Sequence, residues 1–548
     1  MTTTVPDVTV TVIVHNDAAR LPRAVASVRA QTHRALEIVI SDDHSTDATP
    51  EVAAALAAKD GRIRVLRLEQ NSGGCSAPRN RALEIARAPF LMFLDSDDEL
   101  PPRAVELLLA AHRETEADFA MGAVERVRTD TGATSTWMAP LFGRRRTVRG
   151  IAEEPRMLFE PLSTNKMYRK EFLDRHHLRF PEGLHYEDQL FSAQAYTLAR
   201  AFTVITEPVY RWYIAPHAAR EAATISNRRH LMSNVRDRIR IARLIDAFLD
   251  AQGVPAAVRE EKDFKFLSHD FRLYAGDLPH REPAWVAGFA AETVPYLDGL
   301  CAAAYARLDR DERVVIGLLR EGRYEEARLA ARGLGHGVGP RGTVTDPARG
   351  RTYWGGVLPV GAGAREDLDL TELDLQGCPF AAARFRHEIT GLVRNTGPVV
   401  ELAVRTYDPG LRLPLAPQPA SLHLAPGGRR TTVPVRLDPA GRGVFEGTAR
   451  LDLSAVALPV HGFWGVRHPV LEVTDGRARR TGVLLAPTDF TPFEVAGPGR
   501  HRITVEPEGR GAGRLQVRWR PAGSVGRLLA PVVRRSAVRR VARALVRG

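Results

Sequence analysis

Three carboxylates in four residues, Asp95-Ser96-Asp97-Asp98, follow the apolar run Ala88-Pro89-Phe90-Leu91-Met92-Phe93-Leu94 and precede Pro101-Pro102. Ligands of open parallel sheets collect outside the carboxyl ends of the strands. A hard divalent cation takes a few carboxylate oxygens together with those of a diphosphate. The Asp-x-Asp therefore reads as a nucleotide-diphosphate site, with an acidic turn capping the next helix as the plainer alternative. Three more clusters invite related chemistry. His15-Asn16-Asp17 and Asp42-Asp43-His44-Ser45-Thr46-Asp47 each end an apolar run, and a carboxylate in the second can accept hydrogen bonds from the imide and ribose of a nucleoside. Asn71-Ser72-Gly73-Gly74 opens a stretch carrying Arg79 and Asn80, which offers a phosphate close backbone approach and one cation. Singly, each is equally well a cap or a turn.

The elements that must position these clusters alternate. Strand signals at Val8–Val14, 36–40, 62–66, 89–94 and 118–124 are separated by helical spacing at 21–31, 46–59, 76–86 and 103–115. Such alternation implies an α/β, Rossmann-like sheet, parallel and covered on both faces. All four polar clusters then fall at one edge of it, which is harder to dismiss than any one alone. Residues 126–226 are less regular and form the expected acceptor half of the same domain, 1–226. Residues 227–335 turn helical, with Leu231, Val235, Ile239, Ala242, Ile245 and Leu249 at three- and four-residue spacing. Residues 336–520 shift to Gly, Pro, Thr and Val in short alternating runs, the pattern of an antiparallel β-sandwich region, as one or two small sandwiches.

The chain's 548 residues are too many for one core. A 44% hydrophobic and 26% charged composition is globular, and no apolar stretch is long enough to span a bilayer. Met1 to Asp7 carries no leader pattern, so the cytoplasm is the expected compartment. Cys75, Cys301 and Cys378 fit neither a disulfide framework nor a zinc site. Of the net charge of +12, the tail 521–548 supplies +7 through Arg527, Arg534, Arg535, Arg539, Arg540, Arg543 and Arg547. Its interleaved Val525, Leu528, Leu529, Val532, Val538, Val541 and Leu545 suggest peripheral binding to an anionic membrane at the inner face of the plasma membrane. A disordered basic tail or a helix packed on another subunit of a homo-oligomer stands equally open. Nothing else in the chain resembles a nucleic-acid module, so no nucleic-acid partner is expected.

The run from Val10 to Thr49 with Gln31-Thr32, the Asp42-Asp43-x-Ser-Thr-Asp segment, Gly73-Gly74 to Arg79-Asn80 and Leu94-Asp95-Ser96-Asp97-Asp98 together resemble family-2 inverting glycosyltransferases of the GT-A fold. The resemblance continues through Thr164-Asn165-Lys166-Met167-Tyr168-Arg169, Phe180-Pro181-Glu182-Gly183, Tyr186-Glu187-Asp188-Gln189 and Pro208-Val209-Tyr210-x-Trp212-Tyr213. His15 and Asp17 depart from the family pattern. The resemblance implies an enzyme that moves a hexose or N-acetylhexosamine from a nucleotide-diphosphate donor, a UDP-sugar being expected. It places Asn16, Asp42, Asp43, Arg79 and Asp95 at the donor and gives His217 and Arg220 to the pyrophosphate. It also makes Asp97 the principal ligand of a Mn²⁺ or Mg²⁺ ion, with Asp95 and Asp98 beside it, and Asp188 the general base, with Glu187 orienting it. The overall plan is similar to wall teichoic acid glycosyltransferases, so the expected acceptor is a teichoic-acid-like polymer, a polysaccharide or a glycolipid. The competing reading is a non-catalytic carbohydrate-binding or scaffold protein with a degenerate transferase domain. A dead domain has no reason to keep both Asp95-x-Asp97 and Glu187-Asp188.

Overall fold

The computed structural model describes residues 5–130, 132–214, 228–334, 342–396, 399–424, 431–441, 443–452, 465–486, 493–496, 501–507 and 513–521. His217, Arg220 and residues 522–548 of the basic tail lie outside the described residues. Two compact units emerge, Met1–Phe271 with Ala291–Arg307, and Arg272–Ala290 with Leu308–Gly548, so the helical span is shared between them.

The first unit is built on strands β1 (Val8–Val14), β2 (Leu36–Asp42), β3 (Ile63–Arg67) and β4 (Phe90–Asp95), all parallel in the order β3-β2-β1-β4. Every residue of β1 and β2 is buried, as expected of parallel strands covered on both faces. The helix Leu21–Arg29 turns Leu21, Ala24, Val25 and Val28 into that core, the spacing the sequence shows. Beyond β4 the parallel pattern stops. To β5 (Phe119–Arg128), β6 (Thr134–Trp137) and β7 (Arg146–Val148) are added β8 (Lys166–Arg169), inserted antiparallel between β4 and β5, and β9 (Phe202–Ile214), parallel to β5. The expected all-parallel sheet is therefore a mixed one. The reason is local: the described residues of 129–165 hold short strands and 3₁₀ turns but no helix long enough for a parallel crossover, so the chain returns antiparallel. That reversal brings residues 160–165 back beside the end of β4.

The helix Met232–Ala251 buries Val235, Ile239, Ala242, Ile245 and Leu249, whereas Leu231 stays outside the helix and exposed. Ala256–Lys265 follows and runs into a π-helical turn, Phe266–Phe271. In the second unit, the antiparallel β region closes on itself. Arg386–Thr396, Val399–Tyr407, Val444–Asp452, Thr431–Gly441, Gln418–Leu424, Val470–Thr474 and Arg479–Ala486 pair in that order, and the last returns to the first through His387 opposite Leu484. A ring of strands around one core containing Leu402, Leu422, Phe445 and Leu471 replaces two facing sheets. Among the described residues no helix is long and apolar enough to cross a membrane, and the three cysteines are free.

Candidate active site

The polar clusters gather because of register. Val14 of β1 lies opposite Asp42 of β2, and Ile13 opposite Asp95 of β4. The loops after β2 and β4 thus flank the end of β1, separated by two strand spacings, or about 10 Å. Small bonds tie the three loops together. Asn16, in the left-handed region at φ 48°, accepts from Thr46 N at 2.7 Å and Asp47 N at 3.3 Å through Oδ1. Ser96 donates to Asp17 at 2.6 Å.

Asp42 and Asp43, expected to share the base, divide. The Asp42 carboxylate is fully buried, accepts from Ser45 N at 3.0 Å and Ser45 Oγ at 2.5 Å, and faces Arg67 at 3.5 Å. It shapes its own loop. Asp43 gathers the Gly-rich segment instead, accepting from Ser72 N at 3.0 Å, Ser72 Oγ at 2.9 Å and Asn71 Nδ2 at 3.2 Å. Gly73 there sits at φ 78°, a conformation that suits glycine. The His15 ring closes the cluster on the Asp43 carbonyl, 2.9 Å away.

Arg79 departs most from expectation. Placed beside the nucleotide by the sequence, its side chain is 2% exposed. The first turn of the helix Ser76–Ile85 is buried throughout, which draws the guanidinium under the sheet edge. There it donates to Asp95 Oδ1 at 3.0 Å, Glu187 Oε1 at 2.9 Å and Asp188 Oδ1 at 2.7 Å. One cation thus joins the acid ending β4 to the acid pair opening the helix Glu187–Leu198, 108 and 109 residues away. Ser163, which the sequence reading passed over although it adjoins the Thr164-Asn165 motif, donates to Asp188 Oδ1 at 2.9 Å. Behind it Glu160 and Lys166 form a fully buried pair at 3.9 Å.

With three carboxylates on one guanidinium, negative charge is in excess. Burial pushes the Glu187 carboxyl up, and the neighbouring Asp188 adds to the rise against the pull of Arg79. Asp188 is likewise raised, first by burial and then, against Arg79, by Asp95. Arg79 stays charged because Asp188 and Asp95 more than offset its burial.

Of the Asp95-to-Asp98 acids, Asp95 and Asp97 are the accessible ones, 34% and 33% exposed. Asp97 holds Arg20 only at 3.4 Å, and burial together with the charge of Asp95 raises its carboxyl. Asp98, expected beside the metal, has both oxygens engaged: Tyr210 Oη donates at 2.7 Å and Tyr213 N at 2.8 Å. Its physical role is to dock β9, and that partner strand lies too far along the chain for spacing to disclose.

The residues fit a divalent cation in one specific sense. Among the described residues no three His, Cys, Asp or Glu side chains form a closed metal cage. Mg²⁺-like ions are held by one or two carboxylates plus substrate phosphates rather than by dedicated cages. Asp97 and Asp95, open and mutually repelling, supply such a half-site.

A mixed sheet with accessible acids at the end of β4, facing a half-buried acid pair on a later helix, defines a GT-A-type nucleotide-sugar domain. Residues 9–176, within this N-terminal domain, match the family described as Glycosyl transferase family 2. Over 204 residues the chain is 30% identical to the poly(ribitol-phosphate) beta-N-acetylglucosaminyltransferase TarP of Staphylococcus aureus, covering 36% of this chain and 59% of that protein. It is 34% identical over 195 residues to the succinoglycan biosynthesis protein ExoU of Rhizobium meliloti, covering 34% and 55%. The matches thus span under two thirds of these relatives. The crystal structure of S. aureus TarS aligns with a TM-score of 0.51 at 16% identity, over 95% of this chain and 86% of that one, a likeness of fold.

Proposed function

We propose that the protein is an inverting glycosyltransferase that moves a hexose or N-acetylhexosamine from a UDP-sugar to a hydroxyl of a cell-envelope polymer or glycolipid. The observation that carries this reading is the convergence of Asp95, Glu187 and Asp188 on the buried Arg79. A nucleotide edge and a candidate base are thereby fixed in one frame. The names of the relatives, a poly(ribitol-phosphate) transferase and a succinoglycan biosynthesis protein, support a polymeric acceptor.

The loop gathered by Asp43, with His15, Asn16 and Asn71, receives the nucleoside, and Asp95 faces the ribose. Asp97, with Asp95, would hold a Mn²⁺ or Mg²⁺ ion, which when bound neutralises charge on the leaving diphosphate. Asp188 takes the proton of the acceptor hydroxyl as its oxygen bonds to the anomeric carbon and the bond from that carbon to the diphosphate oxygen breaks. An inverting single displacement requires this base on the face of the sugar opposite the leaving group. Ser163 and Arg79 fix the Asp188 carboxylate for this task, and Glu187 shares the guanidinium. His217 and Arg220 are proposed at the pyrophosphate. The ring of strands in the second unit is proposed to bind polymer or a second copy of the chain, and the basic tail to rest on anionic lipid at the cytoplasmic face.

The test is a panel of nucleotide sugars, each with and without Mn²⁺, scored for hydrolysis and for transfer to poly(ribitol phosphate) and glycolipid acceptors. Metal-stimulated turnover of a UDP-sugar that Asp188→Asn removes while UDP affinity stays within about threefold is the expected result. No turnover of any nucleotide sugar would return the protein to the scaffold reading.

A further inference from the structure

The helix that begins with Glu187-Asp188 is gripped on both sides of the acid pair by groups the reaction does not itself require. Tyr186 sits in the left-handed region at φ 69°, an uncommon conformation for a bulky residue that persists only where its surroundings enforce it. Its hydroxyl donates to Asn234 Oδ1 at 2.7 Å, and the Arg238 guanidinium lies 3.4 Å from its ring centroid. Arg238 donates to Asp270 at 2.7 Å. Lys265 donates to the other oxygen of Asp270 at 2.7 Å and to Gln189 Oε1 at 2.7 Å. Residues 186 and 189, flanking the acids, are therefore tied to one buried ionic cluster carried by Met232–Ala251, Ala256–Lys265 and the π turn Phe266–Phe271.

Stability alone does not account for that cluster, because apolar side chains of similar volume usually serve a core equally well. A second ligand does not account for it either. The adjoining cavity, lined in part by Gln189, Lys265 and Asp270, measures about 20 Å³, room for a single water molecule. Its remaining feature is geometric: it fixes the direction in which the first turn of the base helix points.

We propose that Tyr186, Arg238, Lys265 and Asp270 are positioning residues for Asp188, so that the helices after the transferase sheet set the geometry of the base. The proposal rests on Asp188 being the base. Lys265→Met leaves Arg238 and Asp270 as a balanced pair and deprives Gln189 of its donor; Tyr186→Phe removes only the hydroxyl held by Asn234. In the full-length protein, with UDP as the binding probe and the UDP-sugar found by the panel as donor, kcat should fall about 10- to 100-fold for Lys265→Met. For Tyr186→Phe the fall should be several-fold, with UDP affinity and donor KM within about twofold for both. In an Asp188→Asn background neither change should lower the residual rate further, since a removed base cannot be misplaced. Folded variants that keep kcat, or whose losses multiply with that of Asp188→Asn, would overturn the proposal. Should Lys265→Met fail to fold, Tyr186→Phe decides by the same readouts. Parental transfer by Asp188→Asn itself would instead overturn the assignment of the base, a separate outcome.

Discussion

Replacing Arg79 by methionine removes the one cation that joins Asp95, Glu187 and Asp188 while keeping the length and much of the volume of the side chain. Three charge-assisted hydrogen bonds of 2.7 to 3.0 Å disappear, each worth about 1.5 to 3 kcal/mol net. The losses do not simply add, because freed carboxylates relieve their repulsion by binding protons. Breaking a buried ion pair by removing one partner costs about 3 to 5 kcal/mol, which is the figure expected near pH 8. In a unit of this size that lowers the melting temperature by roughly 6 to 20 °C. The deficit should shrink as pH falls, because Glu187 and Asp188, both raised by burial and like-charged neighbours, take up protons and relieve the unbalanced charge. Differential scanning fluorimetry of parent and variant from pH 5 to 8 measures both quantities. A variant as stable as the parent at pH 8, or a deficit that does not change with pH, would refute the claim that these acids converge on Arg79.

The same shifts predict opposite slopes for activity and stability. As the proposed base, Asp188 must be ionised, so kcat should fall as pH drops through a value above the ordinary carboxylate range. The folded acid pair binds protons more tightly than the unfolded chain, so its contribution to stability should instead rise over that window; a pH-rate profile and melting curves in the same buffers check the signs. Asp97→Ala should abolish metal stimulation of donor turnover while leaving the fold intact, and unaltered Mn²⁺ dependence would contradict its placement. Gly122→Ala should cost about 1 to 3 kcal/mol, because a Cβ there would stand 2.6 Å from Val209 Cγ1 and 2.8 Å from the Glu207 carbonyl; denaturant unfolding reads the loss.

Period and run length located the strands that carry the site. Val8–Val14 forms with the bounds its β-branched run indicates, and the acids at 42–43 and 95–98 emerge where the apolar runs stop. Local signals end at β8, whose four residues are too short to show a period and whose antiparallel place depends on what the preceding stretch lacks. Side-chain roles were less legible than positions. Asp42, Asp43, Asp95, Asp97 and Asp98 look alike along the chain, yet two are accessible, one caps its own loop, one folds the Gly-rich segment and one anchors β9. What separates them is the partner each meets: Ser72 for Asp43, Tyr210 for Asp98, and Arg79 for Asp95. Those partners lie 29, 112 and 16 residues away. Arg79, the cation that the Gly-rich turn offers to a phosphate in the sequence, is sent inward instead by the burial of its whole helical turn.

The charge balance that results bears on how a donor can bind. Asp95, Glu187 and Asp188 outnumber Arg79, and Asp97 adds a further acid whose carboxylate meets the half-exposed Arg20 only at 3.4 Å. A nucleoside diphosphate brings more negative charge to the same edge. Like charges a few ångströms apart in a partly buried site repel by far more than in water, so the edge cannot take a diphosphate by itself without further cations. Arg220 and His217, on the segment after β9, could provide some of that charge, and a divalent ion on Asp97 the rest. High ionic strength screens exposed charges far more than buried ones. Salt should therefore weaken UDP binding strongly in metal-free solution and only slightly with saturating Mn²⁺. Equal salt dependence in the two conditions, measured by calorimetric titration, would mean that the cations balancing the diphosphate are fixed in the chain rather than supplied with the ligand.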